Sequence, residues 1–192
     1  MTRMKIVLGV TGASGAAIAV RIAERLSDID SVELHLVLSP AAHRTLAHEV
    51  GAEALPSLLR RATRTYDHAD IGAAIASGSF STAGMIVAPC SMRTLAAIAS
   101  GMADNLVVRA ADVHLKERRR LILMARETPL HLGHLRNMCA VTEMGAIIMP
   151  PVPAFYHRPE TVDAVVDHLA ARAIDLLALP IAPLAKAWQG EG

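Results

Sequence analysis

A three-layer α/β/α single domain built on a parallel sheet is the fold that this sequence predicts, and three observations carry it. Apolar, β-branched runs alternate with helix-period segments along the whole chain. Strands spaced by helices impose parallel β-α-β units with right-handed crossovers, so helices cover both faces of the sheet. Five polar segments (TGASG, LSPAA, APCSMRT, ARETPL and MPPVPAFY) follow the predicted strands, where open α/β sheets bind their ligands. The 192 residues suit one domain, residues 1–192, whose core needs neither disulfides nor a structural metal.

The elements follow in order. Strand Lys5–Val10 runs into the glycine-punctuated VTGASG and then a helix, Gly15–Leu26. A buried strand, a tight turn and a helix N-terminus make an anion cradle, because backbone N–H groups and the helix dipole converge there. Gly9, Gly12 and Gly15 fit neither the dinucleotide G-x-G-x-x-G nor the Walker spacing, and Ser14 adds a hydroxyl that a structural turn does not need. Strand Val32–Leu38 leads through Ser39 to helix Ala41–Val50. Gly51–Ser81 is less regular and reads as helix, short strand and loop. Strand Gly84–Ala88 leads to helix Met92–Ser100, with Ser91 as a natural N-cap and Thr94 three residues on. Helix Ala110–Arg118, strand Arg120–Met124, helix Leu132–Glu143, strand Ala146–Met149 and helix Pro159–Leu177 complete the alternation. From Pro180 to Gly192 the tail has no period and is expected to wrap a surface or a neighbouring subunit.

Composition narrows the function. A net charge of +1 gives no electrostatic case for nucleic acid or an anionic membrane. The chain is 53% hydrophobic but only 3% aromatic, and no apolar run approaches the roughly 18 residues of a membrane span. Subunit interfaces are the economical place for the excess, which predicts an oligomer. MTRMKIVLGV enters a glycine turn with charged residues soon after, so it reads as a strand and not a signal peptide. Cys90 and Cys139 form no framework or ligand pair, which suits a reducing cytoplasm.

Several side chains are candidates for chemistry, each with a plainer alternative. Ser39 and Ser91 read as helix caps, yet with Ser14 they put hydroxyls at three adjacent strand ends, which favours a shared phosphate ligand. Cys90 reads as a small buried hydrophobe. Arg109 and Lys116 are seven residues apart, on one helix face; Arg109 is expected to be buried and paired, and Arg118–Arg120 to form a solvated face. Arg126 and Glu127 follow a central strand and read equally as functional groups and as a structural ion pair. In MPPVPAFYHRP the prolines fix the loop around Phe155 and Tyr156; Tyr156 is placed to donate to a phosphate, with Arg172 adding charge, and His157 reads as surface filler. His131 and His134 have a metal-compatible spacing but no third ligand, so no metal is assigned.

Taken together, GVTGASGA, SPAA with Glu49 ten residues after Ser39, IASGSF, APCSMRTLAAIASG, NLVVRAADVHLKERR, ARETPLHLGHLRNM, PPVPAFYHRPETV and the closing AW resemble the UbiX-type flavin prenyltransferase family, also called phenylacrylic acid decarboxylase-like. The resemblance spans essentially the whole chain. It implies a Rossmann-like (flavodoxin-like) flavoprotein, a homo-oligomer that is often a trimer-based dodecamer. The implied reaction joins a dimethylallyl group from dimethylallyl monophosphate to reduced FMN at N5 and C6. Its product, prenylated FMN, goes to a UbiD-type decarboxylase, and no metal takes part. By position, the resemblance assigns FMN binding to Gly12, Ala13, Ser14, Ser39, Ser91, Met92, Arg93, Thr94 and Arg126. Tyr156 and Arg172 would hold the prenyl phosphate, helped by Lys116 and Arg109 of a neighbouring subunit. Ser14 and Glu127 would manage protons and phosphate release, Glu49 would lie near the site, and Trp188 would cover the pocket. Two rivals stand behind this reading: a cysteine-derivative decarboxylase, for which His43 and Cys90 do not fill the roles, and a non-catalytic FMN carrier.

Overall fold

The computed structural model describes residues 3–190. Its strands are β1 (Met4–Val10), β2 (Val32–Leu38), β3 (Arg64–Tyr66), β4 (Gly84–Cys90), β5 (Arg120–Ala125) and β6 (Ile147–Ile148). Its helices are α1 (Ala16–Ser27), α2 (Pro40–Glu49), α3 (Ala54–Arg61), α4 (Met92–Ala99), α5 (Leu106–Lys116), α6 (Leu132–Glu143) and α7 (Val162–Asp175). All strands pair in parallel, in the order β3-β2-β1-β4-β5-β6. This is the doubly wound order, in which the winding reverses between β1 and β4.

Side-chain alternation along β1 divides the core. Ile6, Leu8 and Val10 face α1, α2, α3 and α7, while Val7 faces the layer of α4, α5 and α6. The central strands are buried on both faces, as a parallel sheet covered by helices requires. Within 51–81 the loosely read segment resolves into α3, the edge strand β3 and a 3-10 turn at Ala74–Ala76. The tail from Ile181 has no regular structure, but Asp175 ties it to α7 by accepting from the Leu184 and Ala185 N–H groups at 2.7 and 3.1 Å. No described helix is long and apolar enough to cross a membrane.

Two expectations need correction. Helix α5 begins at Leu106, four residues before the predicted Ala110, because the Asn105 side chain caps it by accepting from the Val108 N–H at 3.1 Å. Arg118–Arg120 is not a uniformly solvated run. The Arg119 guanidinium donates to the carbonyls of Gly78 and Phe80 at 2.5 and 2.9 Å and so clamps the IASGSF segment. His114 anchors the residues just beyond that segment: its ring is fully buried and meets the Thr82 hydroxyl at 2.9 Å.

The start of β4 tolerates no side chain. A Cβ on Gly84 would lie 2.7 Å from Leu177 Cδ2 and 3.1 Å from the Arg120 carbonyl oxygen. Gly84→Val is therefore expected to destabilise the protein by about 2 kcal/mol. The urea midpoint should fall with an unchanged denaturant slope; an unchanged midpoint would refute the contact.

Candidate functional site

The chain leaves β1 toward β2 on one side and meets β4 on the other, so the loops after β1 and β4 diverge and open a crevice at their carboxyl ends. One side chain holds the crevice mouth together. Thr11, only 2% exposed, donates its hydroxyl to the Pro89 carbonyl at 2.6 Å and accepts from the Ser91 N–H at 2.9 Å. The hydroxyl uses its donor and an acceptor position at once, which fixes the TGASG turn against the APCSMRT turn.

The cleft beyond this stitch has a volume of about 440 Å³, and Gly12, Ser39, Arg44, His68, Ser91 and Thr94 contribute to its wall. Ser39 caps α2 by accepting from the Ala42 N–H at 3.3 Å. Ser91 caps α4 through the Thr94 N–H at 3.3 Å and also donates to the Thr94 hydroxyl at 3.1 Å. Both serines thus cap helices and line the cleft, so two positive helix ends face one space. Gly12 is obligatory for a packing reason: a Cβ there would collide with Ala41 Cβ on the first turn of α2. Thr45 secures that turn by donating to the Gly12 and Ala41 carbonyls at 3.2 Å. Met92 opens α4 with its half-buried side chain packed against the core, and Arg93 lines the cleft while pairing with Asp104 at 3.1 Å.

A second depression of about 390 Å³ adjoins the cleft and shares Gly12, Ala41 and Arg44 with it; Ser14, Thr45, His48 and Glu49 complete it. Here the opening turn departs from its reading as a vacant anion cradle. The Glu49 carboxylate, at the end of α2, accepts from both the Gly15 and Ala16 N–H groups at 2.8 Å. The α1 N-terminus is therefore already met by an internal anion. Burial pushes the Glu49 carboxyl upward. The Ser14 hydroxyl, the Ala16 and Gly15 N–H groups and the Arg126 charge outweigh that and hold it below its usual value. Ser14, Glu49 and Arg126, which lie far apart in sequence, meet at this point. Ala13 lies between them and Gly12 on the same turn.

The remaining candidates lie elsewhere on the chain. Arg126 and Glu127 are both exposed, Glu127 accepts from the adjacent Thr128 N–H at 3.0 Å, and of the two readings left open the ion pair with each other is not formed. Arg109 pairs with Asp112 at 2.6 Å as expected, but it is half-buried and outside the cleft. Lys116 is exposed and pairs with Glu117. Tyr156 and Trp188 are each 57% exposed and pack edge to face with ring centroids 5.4 Å apart. Arg172 reaches Asp175 at 3.8 Å, and neither it nor Tyr156 lines the cleft of its own chain. Cys90 is fully buried and its thiol is pushed up to about 12, which suits the small hydrophobe expected there. His131 is occupied as the cap of α6, its Nδ1 accepting from the Gly133 N–H at 3.0 Å.

Sequence reasoning missed Thr11, Arg44 and His68 at the site. Thr11 sat inside a motif read for its glycines, and Arg44 and His68 reach the cleft only through the packing of α2 and of the loop after β3. Burial first, then the Arg93 charge, lowers the His68 ring below its usual value against the opposing pull of Asp104 and Asp67.

Comparison with known proteins bears on this site. The flavoprotein family model matches residues 1–174. A probable UbiX-like flavin prenyltransferase of Bacillus subtilis is 53% identical over 188 residues, covering 98% of this chain and 91% of that protein. The crystal structure of AnUbiX (PadA1) in complex with FMN and dimethylallyl pyrophosphate superposes with a TM-score of 0.94 at 44% identity, covering 99% and 100% of the two chains. A dodecameric FMN-dependent UbiX-like decarboxylase from Escherichia coli O157:H7 does so with a TM-score of 0.92 at 48% identity, covering 97% and 100%.

Two outcomes test this geometry. Thr11→Val strands a buried carbonyl and a part-buried N–H and is expected to destabilise the fold by about 1–3 kcal/mol in urea titration, whereas Thr11→Ser should retain most of the stability. Equal midpoints for Thr11→Val and the unaltered protein would contradict the stitch. The folded Glu49 carboxyl lies below its ordinary 4.5, so its ionised form adds stability in full above that pH and loses it as the pH falls through the folded value. The stability gap between the unaltered protein and Glu49→Gln should therefore be present at pH 7 and close in acid; a pH-independent gap would contradict it.

Proposed function

The chain belongs to the UbiX-type flavin prenyltransferase family of flavoproteins, and from that premise we propose that it transfers a dimethylallyl group from dimethylallyl monophosphate to reduced FMN at N5 and C6. The observation that carries this reading is the pairing of two adjoining spaces at the β1/β4 switch point. One is a hydroxyl-lined cleft fit for a phosphorylated flavin; the other is a smaller depression centred on Ser14 and Glu49. Bound reduced FMN supplies the nucleophilic ring positions and most of the π surface, since the chain holds few aromatics.

The protein's own groups do the rest. Ser39, Ser91 and Thr94 present hydroxyls and helix N-termini to the flavin's phosphate and ribityl chain, with Gly12, Ala13 and Met92 shaping the wall and Arg93 and Arg126 adding charge. The allylic carbon–oxygen bond breaks as the first ring bond forms, its electron pair leaving with the phosphate. The second ring bond draws on the alkene π pair as one proton is taken up there and one is lost from C6. Cationic and hydroxyl donors must therefore meet the phosphate's charge. Tyr156 and Arg172 fill this role, with Lys116 and Arg109. Because these four do not line their own chain's cleft, the reading places them at the cleft of another copy in a homo-oligomer, a trimer-based dodecamer. Ser14, Glu49 and Glu127 hold the protons exchanged at the reacting ring and the phosphate. Trp188, packed on Tyr156, shields the pocket from water. The product, prenylated FMN, passes to a UbiD-type decarboxylase, and the enzyme works in the cytoplasm, in keeping with two unbridged cysteines. The buried, unreactive Cys90 thiol offers no nucleophile for the chemistry of a cysteine decarboxylase.

Anaerobic incubation with reduced FMN and dimethylallyl monophosphate is expected to yield flavin heavier by one dimethylallyl unit in mass spectrometry; intact FMN alone would overturn the reading. Tyr156→Phe and Arg172→Ala should each lower prenyl-donor use tenfold or more, on the order expected for loss of a leaving-group donor, while FMN stays bound. Loss of FMN from both variants would show that the two phosphate sites are assigned the wrong way round.

A further inference from the structure

Arg44 and Arg93 line the two adjoining spaces and Arg126 acts on Glu49 beside them, and the three differ in what their charge already faces. Arg93 is paired with Asp104 at 3.1 Å. Arg126 acts on the Glu49 carboxylate. Arg44 borders both spaces, and among the described residues it forms no ion pair. The other basic groups of the cleft are less available, since Arg93 is paired and His68 is held toward its neutral form.

Arg44 also stands on a fixed support. It follows Ala41 by three residues on α2, and the first turn of α2 rests directly on Gly12, where a Cβ would collide with Ala41. Its neighbour Thr45 donates to the Gly12 carbonyl at 3.2 Å. The helix that carries Arg44 is therefore locked to the loop that forms the cleft wall, and capped at its start by Ser39, which lines the same cleft. An unpaired guanidinium held over a hydroxyl-lined cleft suits an anionic ligand group, which it can meet through a planar fork of donors.

Resting on the flavin-binding reading above, we propose that Arg44 is a specificity-determining residue that selects the phosphorylated flavin, FMN, over riboflavin by contacting the phosphate monoester. It is a binding group and takes no part in bond making. The hydroxyls and helix ends of the cleft hold the phosphate and the ribityl chain as well, so removing Arg44 reduces discrimination without abolishing flavin binding.

The test measures dissociation constants of FMN and riboflavin by flavin fluorescence on the full-length protein, for the unaltered chain, Arg44→Ala and Arg44→Lys. Arg44→Ala is expected to weaken FMN binding about tenfold and riboflavin binding less than about twofold, the size of one lost charge-assisted contact. Arg44→Lys should recover most of the discrimination, and added salt should weaken FMN binding more in the unaltered protein than in Arg44→Ala. Equal weakening of both flavins, or no change in either, overturns the role of Arg44 while leaving the flavin reading intact. Failure of the unaltered protein to bind FMN removes both.

Discussion

The Thr11 hydroxyl, shared between the Pro89 carbonyl and the Ser91 N–H, is the constraint on which the site depends. A doubly wound sheet necessarily splits its loops where the winding reverses, and the two loops nearest that split have no strand between them to set their spacing. A buried hydroxyl that satisfies one group from the β4 side as donor and another as acceptor supplies that spacing. Replacement by an apolar group leaves both partners unpaired out of water, which is more damaging than the loss of the bonds themselves. With the two turns fixed, the caps Ser39 and Ser91 and the wall residue Gly12 fall into place around one volume.

Charge around this volume is arranged so that the protein satisfies itself first. The most attractive anion position in the fold, the α1 N-terminus, is occupied by Glu49, whose ionised form is favoured by two backbone donors, Ser14 and Arg126 despite partial burial. This leaves the positive ends of α2 and α4, with Arg44, facing the cleft. The division is physically sensible. A carboxylate stands beside a serine at the turn that looks most like a phosphate loop, and the positive groups without an internal anion gather at the neighbouring cleft.

Apolar surface points in the same direction as the separated residues Tyr156, Arg172 and Trp188. Phe155, Val152, Val162 and Trp188 are all exposed on the C-terminal segment, in a chain that is 53% hydrophobic. Exposed apolar surface of that kind marks an interaction face.

The order of strands and helices, the carboxyl-end loops and most of the hydroxyls in them were legible in the chain, because hydrophobic period and turn chemistry are local properties. The start of α5 is set by the Asn105 cap ahead of the apolar Leu106–Val108, which masks the helical period, and the carbonyl partners of Arg119 lie some forty residues away, beyond any local pattern. The same limit governed the site. Residue identity alone determined that hydroxyls, glycines and arginines would gather at the strand ends. Only the tertiary structure decided that Glu49 fills the α1 N-terminus, that Thr11 joins two turns and that Arg44 is the cation left over. Each of those facts is a pairing between distant segments, and pairing is settled by how the helices pack on the sheet, which no local pattern encodes.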